Sequence, residues 1–250
     1  LTFGYNQKPI FQKLCFSIDK GDFLGVIGPN GSGKSTLVKL ILNSIKPQGG
    51  SIKILGKSID HFDKWNKIGY VPQKANSFNK SFPATVEEVV GANLFSRIGL
   101  FKRIKKEHRE LVYEALNTVG MQDYGDRLIG DLSGGQQQRV FIARVLAGKP
   151  EIMILDEPTV GIDAETEGAL YCLLGSLNSE LGITIIMISH DIGAVTVHAN
   201  KIACLGNKGL EIRENTKDFS KECLVGIYGH DVNLHAHTHR CTNCWRNEVI

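Results

Sequence analysis

No run of about 18 apolar residues occurs in this chain of 250 residues, so no stretch of it is expected to cross a bilayer as a helix. The most apolar stretch, residues 183–188, is strand-sized. Strong positive charge is missing too. With 29 Lys and Arg against 26 Asp and Glu, the formal net charge of +3 is no argument for nucleic acid or an anionic membrane as partner. No internal repeat and no secretory leader pattern is visible. The chain opens on Leu1 rather than Met, so an upstream segment is expected. Six cysteines are too few for a disulfide-dense miniprotein. Cys15, Cys172, Cys204 and Cys223 stand in apolar surroundings and read as buried small hydrophobes of a reducing compartment, whereas Cys241 and Cys244 form a C-x-x-C in polar context. Hydrophobic residues at 42% and charged residues at 22% exclude a wholly disordered chain and a collagen-like fibre. A chain of this mass buries roughly 70% of its unfolded surface, enough for a core without disulfides.

What is present divides by composition. Up to about residue 72, short apolar strands alternate with glycine-rich turns. Residues 81–124 lack strand patterning and read as helices, with Leu111, Val112, Ala115, Leu116 and Val119 on one face and Glu107, Arg109, Glu110 and Glu114 largely elsewhere. From Ile152 strands return, each preceded by a helical segment. Apolar strands alternating with helices predict an α/β fold with a parallel sheet covered on both faces and a helical insertion interrupting it. After about residue 227 the pattern gives way to a polar tail rich in His and Cys.

Gly28, Pro29, Asn30, Gly31, Ser32, Gly33, Lys34 and Ser35 spell G-x-x-x-x-G-K-[ST] between an apolar strand and a helix with Leu37, Val38, Ile41 and Leu42 on one side. Glycines let backbone N–H groups turn inward, and the helix N-terminus adds partial positive charge. The loop therefore suits phosphate, with Lys34 toward the β- and γ-phosphates and Ser35 toward Mg²⁺. A second apolar strand ends in Asp156 and Glu157. Ligands gather at such strand ends in α/β sheets. Asp156 can hold Mg²⁺ and Glu157 can act as general base toward water. Between the two lies Leu132-Ser133-Gly134-Gly135-Gln136, with Ser133 a plausible N-cap and two glycines open to an anion. By itself, each of Gln73, His190 and Tyr5 reads as a loop amide, a strand-end histidine and a core aromatic.

In this order the motifs resemble the ATP-binding subunit of ATP-binding cassette (ABC) transporters over about residues 1–227. Residues 28–36, ending at Thr36, match the family's phosphate loop. Gln73 in Tyr70-Val71-Pro72-Gln73 matches its Q-loop, Leu132-Ser133-Gly134-Gly135-Gln136 its signature, and Ile152 to Glu157 its second carboxylate motif. Val160-Gly161-Ile162-Asp163 match its D-loop, with Val160 replacing a small or hydroxylated residue. Ser189-His190-Asp191 match its switch histidine, with Ser189 where Thr is commoner, and Tyr5 its adenine-stacking aromatic. The family's first strand would run largely before Leu1. The resemblance implies a P-loop NTPase fold, a mixed sheet flanked by helices, over residues 1–229, with a helical subdomain over about residues 74–135 and a separate tail at 230–250. It also implies ATP and Mg²⁺ as cofactors, with Ser35, Gln73 and Asp156 around the cation. Lys34, Gln73, Glu157 and His190 would carry catalysis in a head-to-tail homodimer. There one copy's nucleotide is covered by the other's Ser133, Gly134, Gly135 and Gln136, with Asp163 close by. A carboxylate placed at Gly135 is then expected to block dimer closure and leave nucleotide binding by the single chain intact.

Without a membrane span, transport requires separate permease subunits docked on the helical insertion, at the cytoplasmic face of the membrane, and indirectly a substrate-binding protein. A cassette acting on nucleic acid or ribosomes is the rival. The spacing from Lys34 to Asp156 leaves no room for a long coiled coil, a single cassette is present, and Glu107 and Glu110 interleave the basic cluster of Lys102, Arg103, Lys105, Lys106 and Arg109. The stretch from Gln73 to Val90 is similar to zinc and manganese importer ATPases. Four of the eight histidines fall between His230 and His239. His235, His237, His239, Cys241 and Cys244 offer the imidazole and thiolate that suit Zn²⁺. Import of a transition metal, Zn²⁺ before Mn²⁺, is expected, with another solute or an exporter as alternatives.

Overall fold

A computed structural model describes residues 1–6, 8–73, 82–99, 105–206 and 209–214. In chain order they form β1 (Phe3–Tyr5), β2 (Lys8–Phe11), β3 (Phe23–Ile27), α1 (Lys34–Ile41), β4 (Lys53–Ile54), β5 (Lys57–Ser58), β6 (Ile68–Val71), α2 (Val86–Gly91), α3 (Phe95–Ile98), α4 (Lys106–Thr118), α5 (Gly134–Ala147), β7 (Ile152–Asp156), α6 (Ala164–Leu181), β8 (Thr184–Ile188), α7 (Ile192–His198), β9 (Lys201–Gly206) and β10 (Gly209–Arg213). They fall into two compact units, Leu1–Trp65 with the described residues from Thr184 onward, and the described residues of Asn66–Ile183.

In the first unit β3 lies between β8 and β9, parallel to both, and β10 joins β9 antiparallel. All five residues of β3 and of β8 are buried, and all but Thr184 are non-polar, as a sheet covered on both faces demands. On α1, Leu37 and Val38 are buried as expected, but it is Leu40, fully enclosed, that completes the face, while Ile41 and Leu42 are half-buried. At the N-terminal ends of β3 and β9 Lys201 binds Asp19 at 2.8 Å and Asp22 at 2.9 Å. Burial pushes the Asp22 carboxyl up, but the hydrogen bonds from Lys201, the Asp19 N–H and Asn200 outweigh it, and the group sits below the usual carboxylate range. The hydrogen bonds to Asp19 and Asp22 hold the Lys201 ammonium above its ordinary value.

In the second unit β6 and β7 pair in parallel, and α5 is the buried helix against which α2 and α4 pack. The predicted face of α4 is the buried one for Val112, Ala115, Leu116 and Val119, with Leu111 half-buried at its edge. Helix starts follow from local chemistry. Thr85 and Glu88 form a capping box on α2, and Asp163 caps α6 by accepting the Thr166 N–H at 3.0 Å. Of the cysteines read as buried, Cys204 is buried and Cys172 half-buried, but Cys15 is exposed. It follows β2 in an open segment between Lys13 and Phe23, where an apolar neighbour in sequence is no guarantee of a neighbour in space. Cys223, Cys241 and Cys244 lie outside the described residues. The parallel pairs with the antiparallel β9–β10 pair make the expected mixed α/β pattern. No helix among the described residues is long and apolar enough to cross a membrane.

Candidate active site

The phosphate loop leaves β3 in the first unit. Gly33 stands at φ 104°, and a Cβ there would lie 2.7 Å from Ile10 Cγ2 and 3.0 Å from the Phe11 ring. Only glycine takes that backbone with that neighbour, and α1 can therefore begin at Lys34. Lys34 is buried, and its Nζ donates to the carbonyl oxygens of Gly28 at 2.7 Å and Pro29 at 3.0 Å. The ammonium is thus held by its own loop. Ser32 Oγ, also in the loop, is buried with no hydrogen-bond partner among the described residues. An orphaned hydroxyl beside a buried cation, at a helix N-terminus, fits an oxyanion. Thr36 is buried and Ser35 exposed. Because Val26 of β3 stands opposite Ile188 of β8, and the Ser189 N–H donates to Val26 O at 3.2 Å, the turn carrying His190 emerges beside the loop. His190 is exposed, while Ser189 Oγ accepts the Asp191 N–H at 2.9 Å and Asp191 caps α7. Tyr5 is not core. It ends β1 with 44% of its surface exposed, edge-on to Phe3.

The carboxylates belong to the second unit. Val71 of β6 stands opposite Leu155 of β7, so the chain leaves the two strands side by side. Gln73 Nε2 there donates to Glu157 Oε2. Glu157 sits at φ 49°, an uncommon backbone for a residue with a side chain and of the kind that clusters at functional sites. Asp156 is 9% exposed. The Tyr70 hydroxyl donates to it, and burial, then the Asp156 charge and that hydrogen bond, push the phenol above its ordinary value, so it remains a donor. Tyr70 enters the Q-loop resemblance only as a flank of Gln73, with no site role attached to it. Only the pairing of β6 with β7 brings it to Asp156.

The signature turn is a helix start. Ser133 Oγ accepts the Gln136 N–H at 3.3 Å and Gln136 Oε1 accepts the Ser133 N–H at 3.0 Å, a complete capping box on α5. The two glycines differ. A Cβ at Gly134 would meet Gly161 O at an ordinary 3.4 Å, whereas one at Gly135 would collide with Thr166 Cγ2 on α6. Gly135 is therefore required by packing inside the chain, and a carboxylate there would disturb the fold itself; Gly134 is the position with room. Asp163 is exposed at the start of α6. The Thr166 hydrogen bonds hold its carboxyl below the usual range.

Ser35 hydroxyl, Gln73 amide oxygen and Asp156 carboxylate are hard oxygen donors, the chemistry Mg²⁺ selects. No group of three His, Cys, Asp or Glu side chains suited to a metal occurs among the described residues; His235, His237, His239, Cys241 and Cys244 lie outside them.

Residues 11–160 match the family described as ABC transporter. The chain is 47% identical over 208 residues to the zinc uptake system ATP-binding protein ZurA of Listeria innocua serovar 6a, covering 83% of this chain and 81% of that one. It is 41% identical over 229 residues to the manganese transport system ATP-binding protein MntB of Bacillus subtilis, covering 92% and 90%. The solved dimeric structure of MJ0796, a bacterial ABC transporter cassette, superposes with a TM-score of 0.70 at 29% identity, over 85% of this chain and 94% of that one. The glycine-turned loop, the meeting of Gln73 with Glu157 and the capped signature helix are thus accounted for together: the chain belongs to the ABC transporter family, as an ATP-hydrolysing cassette.

Proposed function

We propose that this cassette works as a head-to-tail homodimer on the cytoplasmic face of a membrane, bound to two permease subunits, and that its ATP hydrolysis drives uptake of a transition metal handed over by a substrate-binding protein. The observation that carries the catalytic part is the meeting of Gln73 with Glu157 at the ends of β6 and β7. Residues 28–36 cradle the phosphates, Tyr5 stacks on adenine, and the signature turn of the second copy, with Asp163 nearby, covers the γ-phosphate. Lys34 exchanges its loop carbonyls for phosphate oxygens and neutralises charge as it develops. Glu157 takes the proton of the attacking water, Gln73 and His190 orient that water and the γ-phosphate, and the leaving group is ADP. Ser35, Gln73 and Asp156 would hold Mg²⁺, which would supply charge neutralisation to the phosphates when bound. The exposed Phe82 and Phe95, in the segment expected to form the helical subdomain, offer apolar surface to a permease. Zinc is favoured as cargo because ZurA is a zinc uptake protein and because the tail is rich in His and Cys. The tail binds Zn²⁺ through His235, His237, His239, Cys241 and Cys244. The name of MntB makes manganese the second reading.

Three measurements test this. Glu157→Gln retains ATP binding and loses turnover by about 10²- to 10⁴-fold, with an ATP-bound dimer accumulating on size-exclusion chromatography; near-normal turnover removes Glu157 from the role. Metal uptake into vesicles carrying the cassette with its permease, Zn²⁺ against Mn²⁺, decides the cargo. Calorimetry on the full chain and on a chain ending at residue 229 decides the tail, where equal zinc stoichiometry ends that assignment.

A further inference from the structure

A carboxylate as enclosed as Asp156, 9% exposed at the end of β7, calls for hydrogen-bond donors to its oxygens. The strand register supplies one. β6 and β7 run parallel with Tyr70 opposite Ile154. Residues two apart on a strand share a face, so Asp156 stands on the face of Ile154, and Tyr70 is its diagonal neighbour across the pair. A side chain as long as tyrosine's spans that diagonal, and the Tyr70 hydroxyl does reach the Asp156 carboxylate. A phenylalanine would fill the same space without the hydroxyl. What tyrosine adds at this position is a neutral donor aimed at one carboxylate.

We propose that Tyr70 is a positioning residue for the cation-binding carboxylate: its hydroxyl ties down Asp156, sets the rotamer of that side chain and leaves the remaining lone pairs for Mg²⁺ or its water shell. An ionised carboxylate has about four acceptor sites, so one bond to a phenol leaves it competent toward a cation. A neutral phenol brings no charge of its own. It acts as the outer-shell partners of metal ligands do, whose loss costs about ten- to a hundredfold in metal affinity. Tyr70 touches neither nucleotide nor reacting water in this role and works through Asp156 alone. The inference rests on the reading of Asp156 as a Mg²⁺ ligand.

Tyr70→Phe removes one oxygen and keeps the ring. Binding of a fluorescent ADP analogue to the full chain, titrated with Mg²⁺, reads the effect without turnover. The Mg²⁺ midpoint is expected to rise about tenfold, while affinity in EDTA and the melting temperature without Mg²⁺ stay at the wild-type level. Asp156→Asn should shift the midpoint further, and adding Tyr70→Phe to it should then change nothing. An unmoved midpoint in Tyr70→Phe, with Asp156→Asn moving it, overturns the role of Tyr70 alone. Equal losses of nucleotide affinity with and without Mg²⁺ also overturn it, because a merely structural residue behaves so. If Asp156→Asn leaves the midpoint in place, the reading of Asp156 itself fails and Tyr70 loses its role with it.

Discussion

Two parallel strand pairs, β3–β8 in the first unit and β6–β7 in the second, release functional residues from their C-terminal ends by different chemistry. After β3 the site is backbone. Gly33 at φ 104° turns the loop, and the carbonyls of Gly28 and Pro29 hold Lys34. After β6 and β7 it is side chain on side chain, Gln73 on Glu157 and Tyr70 on Asp156. In the backbone cradle a Cβ collides at Gly28 and at Gly33. Side-chain pairs lose their function when one atom changes and leave the fold standing. The expectation is that mutation at the glycines of the first region unfolds and mutation at the side chains of the second silences.

The sharpest way to break that contrast is to mutate one glycine and one glutamine. Gly33→Ala is expected to abolish nucleotide binding and to cost about 1–3 kcal/mol in denaturant unfolding, from strained backbone and overpacking against Ile10 and Phe11. Gln73→Ala should leave stability within about 0.5 kcal/mol and lower ATP turnover. Equal stabilities would erase the difference between the regions. Next in size, Lys201→Met leaves Asp22 buried without its cation and should cost about 3 kcal/mol with nucleotide affinity unchanged, since this network lies at the N-terminal ends of β3 and β9, the opposite end of β3 from the loop.

The two signature glycines repeat the contrast over one residue. Gly135→Ala overpacks Thr166 and should cost about 1–3 kcal/mol, whereas Gly134→Ala should fall within about 0.5 kcal/mol. Gly134→Asp, an acid in the first turn of α5, should keep the fold and still fail in ATP-driven dimerisation. It replaces Gly135→Asp as the test of the composite site.

The smallest expected effect is on pH. Asp22 and Asp163 both titrate below their ordinary value when folded. The stability they contribute is therefore present above about pH 4 and lost as pH falls through their native values. The Lys201 contribution has the opposite sign, being complete below its ordinary value and lost as pH rises through the raised native one. Asp163→Asn preserves an N-cap of similar strength. It should leave stability at neutral pH almost unchanged and reduce the acid slope of the melting temperature.

Much of the site was legible because its motifs are local. The phosphate loop, the capping box of Ser133 and Gln136 and the strand ending in Asp156 each depend on residues within a few positions of one another. What local pattern could not reach was partnership. Residues 37, 38, 41 and 42 read as the buried face of α1, yet Leu40 is the residue fully enclosed, because burial depends on what the neighbouring elements cover. Neither β9 and β10 nor the Lys201 network had a signature, since Asp19, Asp22 and Lys201 meet across some 180 residues of chain, as the separation of 182 between Lys201 and Asp19 shows.

Sequence alone determined the family, the α/β alternation and the local form of the phosphate loop, the signature turn and the acidic strand end, because glycine at a left-handed turn, an N-capping serine and an acid at a strand end are demands of short-range geometry. Only the tertiary structure decided that Gly135 answers to Thr166 rather than only to a phosphate, that Cys15 faces outward, and that Tyr70 answers to Asp156. The first and last are set by helix packing and strand register, which bring together residues whose spacing along the chain carries no period; Cys15 lies in a segment without either.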